Sequence, residues 1–172
     1  KPGITNAQHR VPIQKDEHGI IASPVINPRA GFDLTDSGLT TAHAVDEAFY
    51  CIKCHDRGKD TCRTGFKTEA VEFKHDALGQ PLSGCPLDQK ISEMNVLFEH
   101  GQLIAALAVV TLDNPMVAAT GHRICYDCSR SCIFQKQDPV DIPSIETRLL
   151  KQVLALPYGF EIYSLLTRWN PL

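Results

Sequence analysis

From Leu39 onward, apolar side chains recur at every third or fourth position, the spacing of helices that turn one face to a core. Asp36-Ser37-Gly38 supplies a helix start, and Leu39, Ala42, Val45, Ala48 and Phe49 form the stripe behind it. That helix delivers Cys51 and Cys54 from its end. Ile91, Met94, Val96, Leu97 and Phe98 mark a further helix, closed near Gly101. Leu103 to Leu112 is apolar on nearly every face, which predicts a buried helix. Asn114-Pro115 ends it, because the residue before proline resists helical geometry. Asp141 to Pro143 opens another helix, with Ile142, Ile145, Leu149, Leu150, Val153 and Leu154 as its stripe. Pro157 and Gly159 separate it from a last helix, Phe160 to Thr167.

Two stretches lack this period. Residues 1–35 carry four prolines and scattered Val and Ile, and read as an extended arm with a short strand at Gly19 to Ala22. Residues 63–84 hold Gly65, Gly79, Pro81 and Gly84 among Lys, Glu and His, a polar excursion between two cysteines. The expected class is therefore mainly α, a helical domain with long cysteine-bearing loops. Its expected divisions are an arm at 1–35, a helical domain at 36–156 and a C-terminal helical segment at 157–172.

Composition narrows the function. The 172 residues suffice for one domain with its own core. A net charge of −3 excludes a globally basic nucleic-acid binder. The longest apolar run, Leu103 to Val110, is far short of the roughly 20 residues of a membrane-spanning helix. No basic segment followed by an apolar one opens the chain, so the cytoplasm is the expected setting. Gly-rich phosphate loops, the nucleophile-elbow motif and the zinc-protease motif are all missing, which leaves metal ligands without substrate machinery.

Those ligands are the cysteines: Cys51, Cys54, Cys62, Cys85, Cys125, Cys128 and Cys132. An odd number excludes a complete set of internal disulfides, and clustered cysteines in a chain without an export signal point to metal or redox chemistry. Two C-x-x-C elements at a distance either converge on one centre or each seed their own. One zinc site would strand three cysteines, and two would need histidines, with His55 and His122 nearest. Cys85-Pro86 resembles the end of a bacterial ferredoxin's binding run, so iron-sulfur clusters are favoured over zinc. Lys53, Arg57, Lys59 and Arg63 around the first cysteines outnumber Asp56 and Asp60, and Arg123 and Arg130 bracket the second group; such cations favour thiolates and a reduced cluster, the alternative being a solvated loop rich in charges.

The stretch from Cys51 to about Leu150 contains Gly84-Cys85-Pro86-Leu87, Gly101-Gln102-Leu103, Asp113-Asn114-Pro115, Thr120-Gly121-His122-Arg123-Ile124-Cys125 and Asp138-Pro139-Val140. In their order and spacing these fragments resemble the N-terminal helical iron-sulfur domain shared by the small subunit of bacterial glutamate synthase and by dihydropyrimidine dehydrogenase. The resemblance implies a helical domain with two 4Fe-4S clusters that passes electrons between a flavin reduced by NAD(P)H and a second redox partner. FAD and NAD(P)H would bind in a flavin domain downstream in the same chain, and the parent protein would be an oxidoreductase.

Carried over residue by residue, the resemblance assigns Cys51, Cys54, Cys62 and Cys132 to one cluster. It assigns Cys85, Cys125 and Cys128 to the other, with Glu146 where the dehydrogenase has a glutamine ligand. The sequence departs from the family in its spacers, seven residues between Cys54 and Cys62 and twenty-two between Cys62 and Cys85. The contiguous set Cys51, Cys54, Cys62 and Cys85 therefore stays open at this level. Glu146 lies beside the apolar stripe of its helix, where a carboxylate requires either a metal or a partner such as Arg130 or the helix N-terminus. The alternative function is a structural zinc or protein-interaction module without a redox role.

Overall fold

The computed structural model describes residues 30–32, 38–76 and 78–168, the side chains of 122 and 123 aside, with the backbone of two short strands before them. The chain is mainly α. Strands β1 (Gln14–Lys15) and β2 (Ile21–Ala22) pair antiparallel, Gln14 opposite Ala22 and Lys15 opposite Ile21. The rest of the expected arm lies almost wholly outside the described residues, as do the helix-start pair Asp36-Ser37 and the terminal Trp169.

Eight helices follow among the described residues: α1 (Thr41–Tyr50), α2 (Thr61–Thr64), α3 (Ile91–Glu99), α4 (Leu103–Asp113), α5 (Val117–Ile124), α6 (Asp127–Arg130), α7 (Ile142–Leu154) and α8 (Gly159–Arg168). Helix α7 is the hub, packed by α1, α4, α5 and α8, while α3 lies against α1 and α4. Met94, Phe98, Leu107, Val110, Ile145 and Leu149 meet there with almost no solvent exposure. Each such side chain contributes about 1.5–3 kcal/mol on leaving water. Helix α8 belongs to this body, since Ile162, Tyr163 and Leu166 pack on the core and the Tyr163 hydroxyl donates to Pro115 O at 2.7 Å.

Tertiary packing overrides the sequence pattern in several places. Thr40, not Asp36, caps α1, its hydroxyl accepting from His43 N–H at 3.2 Å. The buried face of α1 is Ala44, Glu47 and Ala48, and Phe49 is exposed. Buried Glu47 is useful there because its carboxylate accepts the Asp141 N–H at 3.0 Å and ties α1 to the start of α7. Helix α4 buries Ala106, Leu107, Val110 and Thr111 only, and its Ile104 and Leu112 face water. Spacings of three and four would put Cys125, Cys128 and Cys132 on one face of a helix, but α6 spans only four residues, Cys125 precedes it in extended backbone and Cys132 follows it in a bend.

The polar excursion is more ordered than its composition suggests. Bridges Lys67 to Phe73 and His75 to Pro81, with Phe66 N–H to Leu82 O at 2.9 Å, fold it back on itself. Arg130 of α6 pins its tip through Asp76 at 3.0 Å. At its base the two strands of chain cross so closely that a Cβ on Gly65 would stand 2.6 Å from Leu82 O, and one on Gly84 2.5 Å from Arg63 O. Both glycines also have positive φ, so this crossing requires them.

Candidate functional site

The cysteine segments start from the end of α1. Cys51 caps that helix, its N–H donating to Glu47 O at 3.3 Å. Lys53 then takes a left-handed conformation, φ 53°, which redirects the chain into the 3-10 turn Cys54–Arg57. Gly58, also left-handed, closes that turn, and the short α2 presents Cys62. Lys53 holds the loop in place, its ammonium donating to Ala48 O at 2.8 Å and pairing with Glu99 of α3.

Four thiols from three separate segments line one pocket: Cys51, Cys54, Cys62 and, from the turn after α6, Cys132. Ile91, Val140, Ile142 and Phe134 supply its apolar walls, and Phe134 stacks on Tyr50 with ring centroids 4.8 Å apart. Burial pushes the Cys54 thiol up to about 11, helped by the neighbouring Cys51 and Cys132. Burial and then the Asp60 carboxylate push Cys62 much higher, and its S–H donates to Asp60 Oδ1 at 3.1 Å.

Polar atoms around this pocket are left without partners. Both amide atoms of Asn95, Thr61 Oγ1 and Asp60 Oδ2 are buried and make no hydrogen bond within the protein. Each unmet buried polar group costs about 1–3 kcal/mol.

The remaining three cysteines gather elsewhere. Cys85 leaves the glycine crossing with its N–H donating to Cys62 O at 2.8 Å and Arg63 O at 3.1 Å, while Gly84 N–H donates to Ser131 Oγ at 2.9 Å. Cys128, on α6, is raised well above an ordinary thiol by burial and then by Glu146, Cys85 and Cys125. Cys85 and Cys125 are each raised by burial first, with Glu146 among the charges that add to it. Glu146, from α7, thus stands within electrostatic reach of all three. Part of its side chain reaches the surface, but desolvation dominates its carboxyl and lifts it to about 7, opposed by the hydrogen bond from Gln89 Nε2 at 2.6 Å.

Cys132 therefore lies with the first three cysteines and Cys85 with the last two, the interleaved arrangement rather than the contiguous one. The two groups are neighbours, joined through the Cys62 to Cys85 backbone hydrogen bond and the Gly84 to Ser131 bond beside Cys132. The partner of Glu146 is Gln89, neither Arg130 nor the helix N-terminus. Arg130 pairs with Asp76 and Asp127, and Arg63 with Asp88 through two bonds at 2.9 and 2.7 Å. Of the cations flanking the cysteines, Lys53, Arg63 and Arg130 are thus committed to carboxylates, and burial raises the thiols of Cys54, Cys62, Cys85, Cys125 and Cys128. The side chains of His122 and Arg123 lie outside the described residues.

The donor set, four thiols around one pocket, has the soft-sulfur chemistry that both zinc and iron-sulfur clusters take. The cysteines form no disulfides. Among the described residues no three His, Cys, Asp or Glu form a ready-made site for one metal ion. Of the orphaned atoms beside the four thiols, Asn95 Nδ2 and Thr61 Oγ1 are donors that an anionic acceptor in the pocket would satisfy. Sequence reading missed Gln89, Asp60 and Asn95. Asn95 had a signal, a polar residue four positions after Ile91 and beside Met94 on an otherwise apolar stripe.

No protein-family model matches the chain. Two proteins of Rickettsia prowazekii are similar to parts of it. The uncharacterized protein RP006 is 74% identical over 57 residues, 33% of this chain and 8% of that protein. The uncharacterized protein RP005 is 38% identical over 78 residues, 41% of this chain and 26% of that protein. The chain thus matches only a small part of the length of either relative. Among the described residues no helix is long and apolar enough to cross a membrane.

Proposed function

We propose that this chain is an electron-transfer module with two 4Fe-4S clusters, part of a glutamate synthase small-subunit-like, NAD(P)H-dependent flavin oxidoreductase of the cytoplasm. The observation that carries the reading is the sorting of eight side chains into two adjacent sets of four. Cys51, Cys54, Cys62 and Cys132 would hold one cluster, and Cys85, Cys125, Cys128 and Glu146 the other. When bound, such clusters supply reversible one-electron storage at potentials set by charge, burial and hydrogen bonds to sulfur.

The chain's own residues hold and insulate. Phe134, Tyr50, Ile91 and Ile142 keep water from the first set, and Gln89 fixes the carboxylate of the second. The glycine crossing joins the segments that present Cys62 and Cys85 through a backbone hydrogen bond, a covalent and hydrogen-bonded route along which an electron would pass. The flavin domain and the second redox partner belong to the same proposal.

Anaerobic purification followed by iron and acid-labile sulfide analysis tests it. The expected result is about eight iron and eight sulfide per chain, about four of each per cluster. One or two zinc atoms without sulfide would overturn it in favour of a structural zinc module.

A further inference from the structure

Asn95 sits in the middle of α3 with no solvent exposure, between Ile91, Met94 and Phe98, which are equally buried. It lines the pocket of Cys51, Cys54, Cys62 and Cys132, and neither Nδ2 nor Oδ1 has a hydrogen-bond partner in the protein. Its neighbour on the same helix behaves differently. Ser92 turns its hydroxyl to Asp60 Oδ1 at 3.4 Å, the same oxygen that accepts from the Cys62 thiol. Asp60 is thereby occupied on one oxygen, and the Asn95 amide is left unpaired on the wall of the pocket that the four thiols line.

An amide kept dry and unpaired at the centre of a helix destabilises the fold unless something completes it. We propose that the Asn95 side-chain N–H donates to a sulfur of the cluster held by Cys51, Cys54, Cys62 and Cys132 and raises that cluster's reduction potential. The proposal rests on the two-cluster reading above. A donor aimed at sulfur stabilises the extra negative charge of the reduced state, so it favours uptake of the electron. The residue itself neither takes up nor releases an electron or a proton. Among the described residues the polar neighbours of the second set are not left orphaned in this way: Gln89 donates to Glu146, Ser129 donates to Val140 O at 2.7 Å while accepting from Ile142 N–H at 3.2 Å, and Ser131 accepts from Gly84 N–H. Asn95 therefore separates the potentials of the two clusters.

The test compares the whole chain with Asn95→Leu, which removes the donor at similar volume, and Asn95→Asp, which replaces it with an acceptor. Each is purified anaerobically, assayed for iron and sulfide, and titrated with dithionite while the reduced clusters are followed by electron paramagnetic resonance. The expected result is full iron and sulfide in Asn95→Leu, with one reduction step moved to lower potential and the other unmoved, and a larger shift in Asn95→Asp. A metal-free Asn95→Leu chain should also melt at a higher temperature than the metal-free parent, since it loses an unmet polar group. Unmoved steps with iron retained would overturn the inference alone. Loss of iron from both variants would make Asn95 a folding residue and overturn it too. Absence of iron and sulfide from the parent chain would overturn the proposed function first.

Discussion

The two sets of side chains are built from similar material and finished differently. The first is all sulfur in an apolar pocket, ringed by buried polar atoms that the protein leaves unpaired. The second replaces one sulfur with the Glu146 carboxylate, and its polar neighbours Gln89, Ser129 and Ser131 all have partners. The first set is therefore the less complete as it stands and gains more from a ligand; the second carries its own charge control. Under the proposed function, two clusters in such unequal surroundings would have unequal potentials, which would give an electron path a direction.

The comparison breaks most completely where both sets share a support. Gly84→Ala would place a methyl 2.5 Å from Arg63 O at a positive φ, forcing apart the chain segments that present Cys62 and Cys85. A loss of about 3 kcal/mol or more is expected, with iron lost from both sites, read by thermal melting and metal analysis. Retention of full iron would show that the crossing is not the common support.

Single-ligand changes separate the two sets. Cys62→Ser should remove about half of the iron, and Cys128→Ser should remove the other half, each leaving one reduction step. If either variant lost everything, the sets would not be independent.

Glu146 gives the asymmetry a pH signature. Its carboxyl is lifted from the ordinary 4.5 to about 7 in the metal-free fold. Between those values the unfolded chain has released a proton that the folded chain still holds, so stability is fully present below about 4.5 and falls as pH rises through 7. The expected fall is roughly 2–3 kcal/mol, and Glu146→Gln should flatten it; chemical denaturation of the metal-free chain at pH 5 and pH 8 measures both. A parent profile already flat would place the carboxyl outside a dry site. Arg130→Ala is the mildest change. Its ion pairs with Asp76 and Asp127 are partly exposed, so less than about 1 kcal/mol is expected. The effect should appear as faster hydrogen exchange in residues 66–82 without loss of iron.

How much of this was legible in the sequence depends on the range of the interactions. The helices α3, α4, α7 and α8 follow from apolar period and proline position, which are local. The face of α1 did not, because Glu47 is buried by a bond to Asp141 of another helix. Cys125, Cys128 and Cys132 have the spacing of one helix face, yet α6 stops after four residues and sends them to different sets. Spacing also left the pairing of Cys85 undecided; only the crossing of Gly65 and Gly84 shows how a twenty-two-residue excursion returns Cys85 beside Cys62 at the backbone while its thiol joins the other set. Positive φ at Lys53, which reorients the C-x-x-C loop, leaves no mark in composition at all.

The most direct measurement is a reductive titration of the anaerobically purified chain, followed by electron paramagnetic resonance and quantified against its iron content. Two separate one-electron steps per chain, each carried by half of the iron, are the predicted outcome. A chain that takes up no electrons, or one whose iron titrates as a single site with the other cysteines still free, would contradict the account.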